Sequence, residues 1–291
     1  MKPGLWASLL LIASCGGDIA PGGSRAVESP ATDEAASQSW TPGALRARFP
    51  VPPSRIVSLV PSFSQTLLEL GLEESLVGRT DFDTLSALSG LPSVGTGLQP
   101  SVEAIVSLQP DLVLGFAGPS DPGIATRLED MGIPFVGLRA DGIQEVFEVT
   151  RLLGAVTHRD AEADSLVLRM NRALEAVRRG TAGLPRVRAA ILIGGTPPWV
   201  AGPGSYLDDL LQIAGGENVF ADLEVPFGSV SPEVLATRKV DLILANAGTP
   251  TPLGLSTVPR ADLPAGIEVP GPGVVDAARS LALILHPGAS R

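Results

Sequence analysis

Apolar positions in this chain follow two alternating patterns from residue 55 onward. Short runs that are apolar almost throughout, such as 56–60 (IVSLV) and 112–116 (LVLGF), predict buried strands. Segments with apolar residues at helical spacing lie between them, among them 66–71 (TLLELG) and 207–216 (LDDLLQIAGG). Strands that alternate with helices predict an α/β fold with mainly parallel sheets covered on both faces.

The chain contains an internal duplication. Residues 101–114 align without a gap with residues 231–244, and a looser match joins 55–60 to 188–193. Each copy predicts a short helix with a serine N-cap and then a buried strand. The matched pairs are Ser101 with Ser231, Glu103 with Glu233, Asp111 with Asp241, and Leu114 with Leu244. Two copies predict two similar lobes, which we place at 54–157 and 184–291.

The segment between the lobes, 158–183, predicts one long helix. Its apolar residues recur at helical spacing over about 20 positions, which at 1.5 Å each give a rod of roughly 30 Å. A single stiff connection of this kind predicts little hinge closure. The alternative interpretation is one more packing helix inside a lobe.

The first residues resemble a bacterial lipoprotein signal. Lys2 precedes an apolar run, 5–13, that is too short to span a bilayer, and Cys15 follows two small residues as in a lipobox. Cys15 is also the only cysteine in the chain. We therefore predict a signal peptide at 1–15 with lipidation of Cys15, and a flexible tether at 16–53. The alternative is an ordinary export signal with an incidental cysteine.

Composition excludes several classes of function. The 291 residues carry a net charge of −10 with no basic stripe, which excludes binding to nucleic acid through phosphate contacts. One cysteine and two histidines leave no zinc-type spacing, so no metal site is predicted. The nucleotide-binding and nucleophile-elbow motifs of enzymes are missing from the sequence. We predict no catalytic residues, no cofactor and no enzymatic activity.

The chain resembles the periplasmic-binding-protein family that serves ABC importers of cobalamin, haem and ferric siderophores. The resemblance covers roughly residues 55–287 and is most like the cobalamin-binding members. It rests on a series of motifs in a specific order: 55–78 (RIVSLVPSFSQTLLELGLEESLVG), 91–114 (LPSVGTGLQPSVEAIVSLQPDLVL), 204–222 (GSYLDDLLQIAGGENVFAD), 230–244 (VSPEVLATRKVDLIL) and 270–287 (PGPGVVDAARSLALILHP). The resemblance implies two lobes bridged by one long helix, with the ligand in the cleft between them.

A large, planar ligand is held by aromatic faces and a few polar groups at its rim. The resemblance implies ligand contacts at Ser62, Phe63, Phe82, Phe116, Trp199 and Phe227. The alternative for each phenylalanine is a place in the core. Gly97 stands where the family often has a tryptophan, and the segment 248–270 is short and proline-rich where the family has a helix and a strand. The second departure predicts a trimmed second lobe whose sheet loses an edge element.

Glu103 and Glu233 occupy the positions at which the family places one glutamate per lobe against arginines of the permease. Their duplication in this chain suits a two-fold symmetric permease dimer. The alternative is that each stabilises the N-terminus of its own helix.

These features together predict a solute-binding lipoprotein of an ABC importer. It would sit on the extracytoplasmic face of a bacterial membrane, anchored through Cys15, and deliver cobalamin or a similar metal chelate to the permease dimer. The alternatives are a ferric siderophore or haem binder of the same fold, and a lipid-anchored sensor or partner-binding protein without transport.

Overall fold

The first lobe is built on a four-stranded parallel sheet. The computed structural model describes residues 40–118, 122–252 and 254–288, so Cys15 and the predicted signal peptide lie outside the described residues. The sheet order is β2-β1-β5-β6. The lobe comprises α1 (Pro42–Arg48), β1 (Ile56–Ser58), α2 (Pro61–Glu69), β2 (Leu76–Gly78), β3 (Gly95–Thr96), β4 (Gln99–Pro100), α3 (Val102–Ser107), β5 (Leu112–Phe116), α4 (Pro122–Asp130), β6 (Phe135–Leu138) and α5 (Ile143–Thr157).

The second lobe is built on a six-stranded mixed sheet. Its main path is β10-β8-β7-β11-β12, and β9 pairs with the first half of β7. Strands β7, β9, β11 and β12 run parallel, whereas β8 and β10 form an antiparallel extension. The elements are β7 (Val187–Gly194), β8 (Trp199–Ala201), α7 (Tyr206–Ile213), β9 (Gly216–Asn218), β10 (Phe227–Ser229), α8 (Pro232–Ala236), β11 (Leu242–Ala245), β12 (Arg260–Asp262) and α9 (Val274–Leu285).

A single helix joins the two lobes. It is α6 (Asp160–Thr181), whose 22 residues give a length of about 33 Å. Its buried face packs on α5 of the first lobe and on α7 and α9 of the second. The α/β class and the arrangement of two sheet-containing lobes around one long helix are therefore confirmed. The apolar residues on its buried face are Ala163, Leu166, Val167, Met170 and Leu174.

Part of the predicted tether belongs to the fold. Thr41 caps α1 and Pro42 occupies its first turn, a combination that favours helix initiation. Leu45 and Phe49, four residues apart, are buried in the core, and α1 packs against α5. The prediction of a flexible segment is thus wrong for residues 41–49, because one apolar pair in a short helix is enough to anchor it.

The proline-rich segment 248–270 keeps its edge strand. Strand β12 pairs in parallel with β11, with Ile243 opposite Arg260 and Ala245 opposite Asp262. Arg260 donates to the carbonyls of Asn246 and Thr249, which holds the preceding loop against the strand. The expected loss of an edge element is therefore wrong, although the segment before β12 forms no helix among its described residues.

The duplicated aspartates tie the starts of equivalent strands together. Asp111, before β5, accepts hydrogen bonds from the backbone N–H groups of Ser54 and Arg55 at 2.8 and 2.9 Å. Asp241, before β11, accepts from the N–H of Arg188 at 3.1 Å and from its guanidinium at 2.7 and 3.0 Å. The repeat seen in the sequence thus has one structural role in both lobes, which is to align neighbouring parallel strands.

We predict that Asp241→Asn destabilises the second lobe in a pH-dependent way. The hydrogen bonds from Arg188 lower the pKa of Asp241 to about 2, below the value of about 3.9 in an unfolded chain. The stabilisation is therefore present above about pH 4 and is lost as the pH falls towards 2. Because the pair is partly exposed, we expect a loss of only about 1 kcal/mol at pH 7.

Urea denaturation of wild type and variant between pH 7 and pH 2.5 measures this difference. Asp276→Asn, which removes a largely exposed partner of Arg279 on α9, is the matched control and should change little. A loss for Asp241→Asn that is the same at every pH would contradict the account.

Candidate functional site

An apolar cavity of about 450 Å³ opens in the second lobe, at the carboxyl end of β7. In an α/β lobe this end of the strands is where ligands usually bind, because loops rather than packed helices face the solvent there. The wall is mostly aliphatic and aromatic. It is formed by Ile193, Gly194, Gly195, Trp199, Tyr206, Leu207, Phe227, Leu263, Ile267 and Glu268.

Trp199 stands at the mouth of the cavity with half of its side chain exposed. Gly194 and Gly195 have φ angles of 127° and 84°, a region that glycine adopts without strain. A Cβ atom on Gly195 would lie 2.9 Å from Cδ1 of the indole. The two glycines therefore let the chain turn back from β7 into β8 while the indole lies directly over the turn.

Tyr206 and Phe227 form an aromatic part of the cavity wall. Their ring centroids are 6.0 Å apart at an angle of 54°, a tilted packing that suits aromatic quadrupoles. Tyr206 is almost fully buried. Burial, and next the negative charge of Glu268, raise the pKa of the Tyr206 phenol well above its ordinary value. The phenol is therefore neutral at physiological pH.

The first turn of α7, which carries Tyr206, is fixed against the first lobe. The N–H of Tyr206 donates to the carbonyl of Asp141 at 2.5 Å. Asp209 accepts from the N–H of Ile143 at 2.9 Å and so caps α5 from the opposite lobe. The N-termini of α5 and α7 thus meet at one seam, which positions Tyr206 relative to both sheets.

Phe116 lies beside this seam on the first lobe. Its ring is about half exposed, and the guanidinium of Arg139 lies 5.7 Å from the ring centroid. Arg139 is paired with Asp141 at 2.8 Å, whose carbonyl is the acceptor of the Tyr206 N–H. Phe116 of the first lobe is therefore connected to Tyr206 in the cavity wall through Arg139 and Asp141.

The remaining predicted aromatic contacts differ in their surroundings. Phe82 is 56% exposed on the first lobe but does not line the cavity. It projects from a turn that Asp83 holds by accepting from the N–H and hydroxyl of Thr80. Phe63 is 3% exposed and packs in the main core. Phe63 is not among the residues that line the cavity, and its contact with ligand stays a prediction.

Ser62 lies in a contact between the lobes and not at an open surface. It is 3% exposed, and a Cβ on Gly271, just before α9, would lie 3.0 Å from the Ser62 Cβ. The N-terminus of α2 and the loop before α9 are therefore in close contact. Ser62 helps to join the lobes, and its hydroxyl does not face the cavity described above.

Gly97 is a structural requirement of this chain. A Cβ atom at Gly97 would lie 2.4 Å from the carbonyl oxygen of Leu59, at the end of β1. The loop between β3 and β4 therefore approaches the first strand more closely than any side chain allows. A tryptophan cannot be accommodated here without moving the loop.

Glu103 and Glu233 occupy equivalent places in the two lobes. Each is exposed in the first turn of a short helix, α3 or α8, whose N-cap is Ser101 or Ser231. Each helix's own backbone N–H, and next the serine hydroxyl, hold the pKa of these carboxyls below its ordinary value. Both groups are therefore charged at neutral pH.

Two of the predicted contacts, Trp199 and Phe227, meet in one cavity, and Tyr206 and Glu268 line it without having been predicted from the sequence. Tyr206 is the only tyrosine and follows the helix cap Ser205, a signal that could have placed it at a cleft.

In the described part of the chain, no group of three His, Cys, Asp or Glu residues could hold a metal ion. No helix there is long and apolar enough to cross a membrane.

Residues 56–259 match the family model described as periplasmic binding protein. The chain belongs to this family. A cobalamin-binding protein of Halobacterium salinarum is 30% identical over 257 residues, which cover 84% of this chain and 69% of the relative. An uncharacterised ABC transporter substrate-binding lipoprotein of Bacillus subtilis is 26% identical over 264 residues, which cover 85% and 81% of the two chains.

A solved structure supports the same fold. The periplasmic haem-binding protein of Pseudomonas aeruginosa superposes with a TM-score of 0.72 at 24% identity, over 82% of this chain and 94% of that chain. Because the family and these neighbours are binding proteins, the predictions of family and of a non-enzymatic role are confirmed.

We predict that Gly97→Ala destabilises the first lobe by about 1–3 kcal/mol, since the added methyl group must displace the Leu59 carbonyl or the loop itself. Gly90→Ala is a suitable control because a Cβ there meets nothing within 4 Å. Thermal and urea denaturation of both variants provide the comparison. Equal stability of the two variants would show that the loop moves freely.

Proposed function

We propose that this chain is the solute-binding component of an ABC importer and that it captures a corrinoid of the cobalamin class. The cavity with Trp199, Tyr206 and Phe227 in its wall carries the proposal. The chain has 8 Phe, 3 Trp and 1 Tyr in 291 residues, so three aromatics around one cavity are a marked concentration. Such a wall suits one face of a large, partly apolar macrocycle. The exposed rings of Phe116 and Phe82 on the first lobe offer contacts to the other face.

Haem is a weaker candidate because its iron takes an axial ligand such as histidine, tyrosinate or methionine. Tyr206 is the one residue of these types in the cavity wall, and burial together with Glu268 opposes its ionisation. His158 points elsewhere, with Nε2 at 2.8 Å from the carbonyl of Phe49. His286 lies against Gly215 at the ends of α7 and α9.

Ferric siderophores are a further alternative, and many of them are anionic when iron-loaded. A site for such ligands needs cationic side chains. The residues that line the cavity include neither lysine nor arginine. This lining favours a ligand whose surface is neutral.

Lipid anchoring through Cys15 is part of the proposal. The pattern of residues 5–15 and the description of the Bacillus subtilis relative as a lipoprotein support it. The anchor would hold the binding domain at the extracytoplasmic face of the membrane, next to the permease. Loss of membrane association in a Cys15→Ser variant would distinguish an anchor from an ordinary export signal.

Glu103 and Glu233 are the proposed docking groups for the permease dimer. Their equivalent positions, their exposure and their charge at neutral pH support this role. One carboxylate on each lobe matches a partner with two equivalent basic sites. Charge complementarity of this kind sets the orientation of a complex more than its raw affinity.

We predict that Trp199 reports ligand binding directly. In the chain carrying Trp6→Phe and Trp40→Phe, Trp199 is the only tryptophan, and cyanocobalamin should quench its emission to saturation. Trp199→Ala should weaken the affinity about tenfold or more because a stacking face is lost, whereas Trp199→Phe should retain most of it.

Calorimetry with cyanocobalamin, haemin and a ferric siderophore measures these affinities, and Trp40→Phe is the control outside the cavity. Tighter binding of haemin or of the siderophore than of cyanocobalamin would overturn the choice of ligand. Binding that is insensitive to Trp199→Ala would overturn the choice of site.

We predict that the double variant Glu103→Arg/Glu233→Arg loses transport and keeps ligand affinity. Cobalamin uptake in cells with the cognate permease should fall roughly tenfold or more, because two attractive contacts become repulsive. Glu74→Arg/Glu217→Arg, one exposed charge swap per lobe outside α3 and α8, is the matched control. Normal uptake by Glu103→Arg/Glu233→Arg would disprove the docking role of the two glutamates. Uptake that is the same with and without the permease would favour the alternative of a lipid-anchored sensor without transport.

A further inference from the structure

Glu268 is the one charged residue among the ten that line the cavity. The other nine are apolar side chains, glycines or the neutral phenol of Tyr206. A carboxylate in such surroundings is unfavourable for an apolar ligand surface, since the charge must stay hydrated or find a partner. The presence of Glu268 in the wall is therefore informative about the chemical groups that the ligand carries at its rim.

The backbone holds Glu268 in place through consecutive turns. The N–H of Ile267 donates to the carbonyl of Pro264, and the N–H of Val269 donates to the carbonyl of Gly266, both at 3.1 Å. Gly266 has a φ of 76°, and the Ile267 side chain is buried in the core. The carboxylate thus projects from a fixed segment, which is the proline-rich region 248–270 that departs from the family pattern.

The charge of Glu268 acts on the cavity wall. Burial first, and next the charge of Glu268, raise the pKa of the Tyr206 phenol, so Glu268 interacts electrostatically with a side chain of the aromatic wall. No cationic side chain of the cavity lining neutralises it. Arg139, on the neighbouring face of the first lobe, is already paired with Asp141.

We propose that Glu268 is a specificity-determining residue that selects macrocycles with amide or amine N–H donors at the rim and rejects those with carboxylates there. The inference rests on the proposed function and deepens it. A rim amide can donate a hydrogen bond to the carboxylate, a charge-assisted contact that is stronger than a neutral one. A rim carboxylate at the same place meets a like charge and is repelled.

Two corrins with the same ring test this directly. Dicyanocobinamide carries amides at the rim, and dicyanocobyrinic acid carries carboxylates. We expect the wild-type chain to bind the amide form at least about tenfold more tightly at low salt. The ratio of the affinity for the amide form to that for the acid form should decrease as the salt concentration is raised, because Glu268 is solvent-exposed and its charge is screened.

In Glu268→Gln we expect the ratio to fall about fivefold, mainly through tighter binding of the acid, and Glu268→Lys should reverse the preference. Glu217→Gln, an exposed carboxylate on β9 outside the cavity, is the matched control and should leave the ratio unchanged. Unchanged melting temperatures would show that the variants are folded, as expected for an exposed side chain.

The possible outcomes separate this inference from the function on which it rests. If the wild-type chain binds neither corrin, the proposed function fails. If it binds the amide form but Glu268→Gln leaves the ratio as it was, the function stands and the role of Glu268 is disproved. Tighter binding of the acid form by the wild-type chain would likewise overturn the inference.

Discussion

The seam at which α5 and α7 meet is the constraint on which the binding site depends. Asp209 of the second lobe accepts from the first free N–H of α5, and the N–H of Tyr206 donates to the Asp141 carbonyl of the first lobe. Helix N-termini carry unsatisfied donors and partial positive charge, so a carboxylate from another element is a favourable cap. Helix α6 also packs on both lobes and adds to the contacts that position the cavity wall relative to the first lobe.

The duplication explains how one chain builds two faces for one ligand. Each half repeats a capped helix followed by a strand. The aspartate just before that strand accepts a hydrogen bond from the backbone at the start of the neighbouring strand, Asp111 from Arg55 and Asp241 from Arg188. The repeated framework leaves the loops at the carboxyl ends of the strands free to differ. In the second lobe the first residues of β8 and α7 supply Trp199 and Tyr206, and the loop before α9 supplies Glu268, so the cavity has an aromatic wall with a single charge.

The fold was predictable from the sequence because apolar strands, helical spacing and an ungapped repeat are local patterns. The helix over residues 160–181 follows from its periodicity, and the equivalence of Asp111 and Asp241 follows from their alignment, although their hydrogen bonds to the neighbouring strand were not predicted. The site was only partly predictable, because burial depends on tertiary contacts. Phe63 and Phe82 look alike in sequence, yet one packs in the core and the other is exposed. The contribution of Glu268 depends on a loop whose path no local pattern indicates.

A crystal structure of the protein grown with cyanocobalamin would test the central claim most directly. The account predicts a corrin ring within about 4 Å of the Trp199 indole and of the wall formed by Tyr206 and Phe227, with the ring of Phe116 towards its other face. A corrin bound outside this cavity, or bound between lobes that have separated at the seam between Asp209 and Ile143, would contradict it.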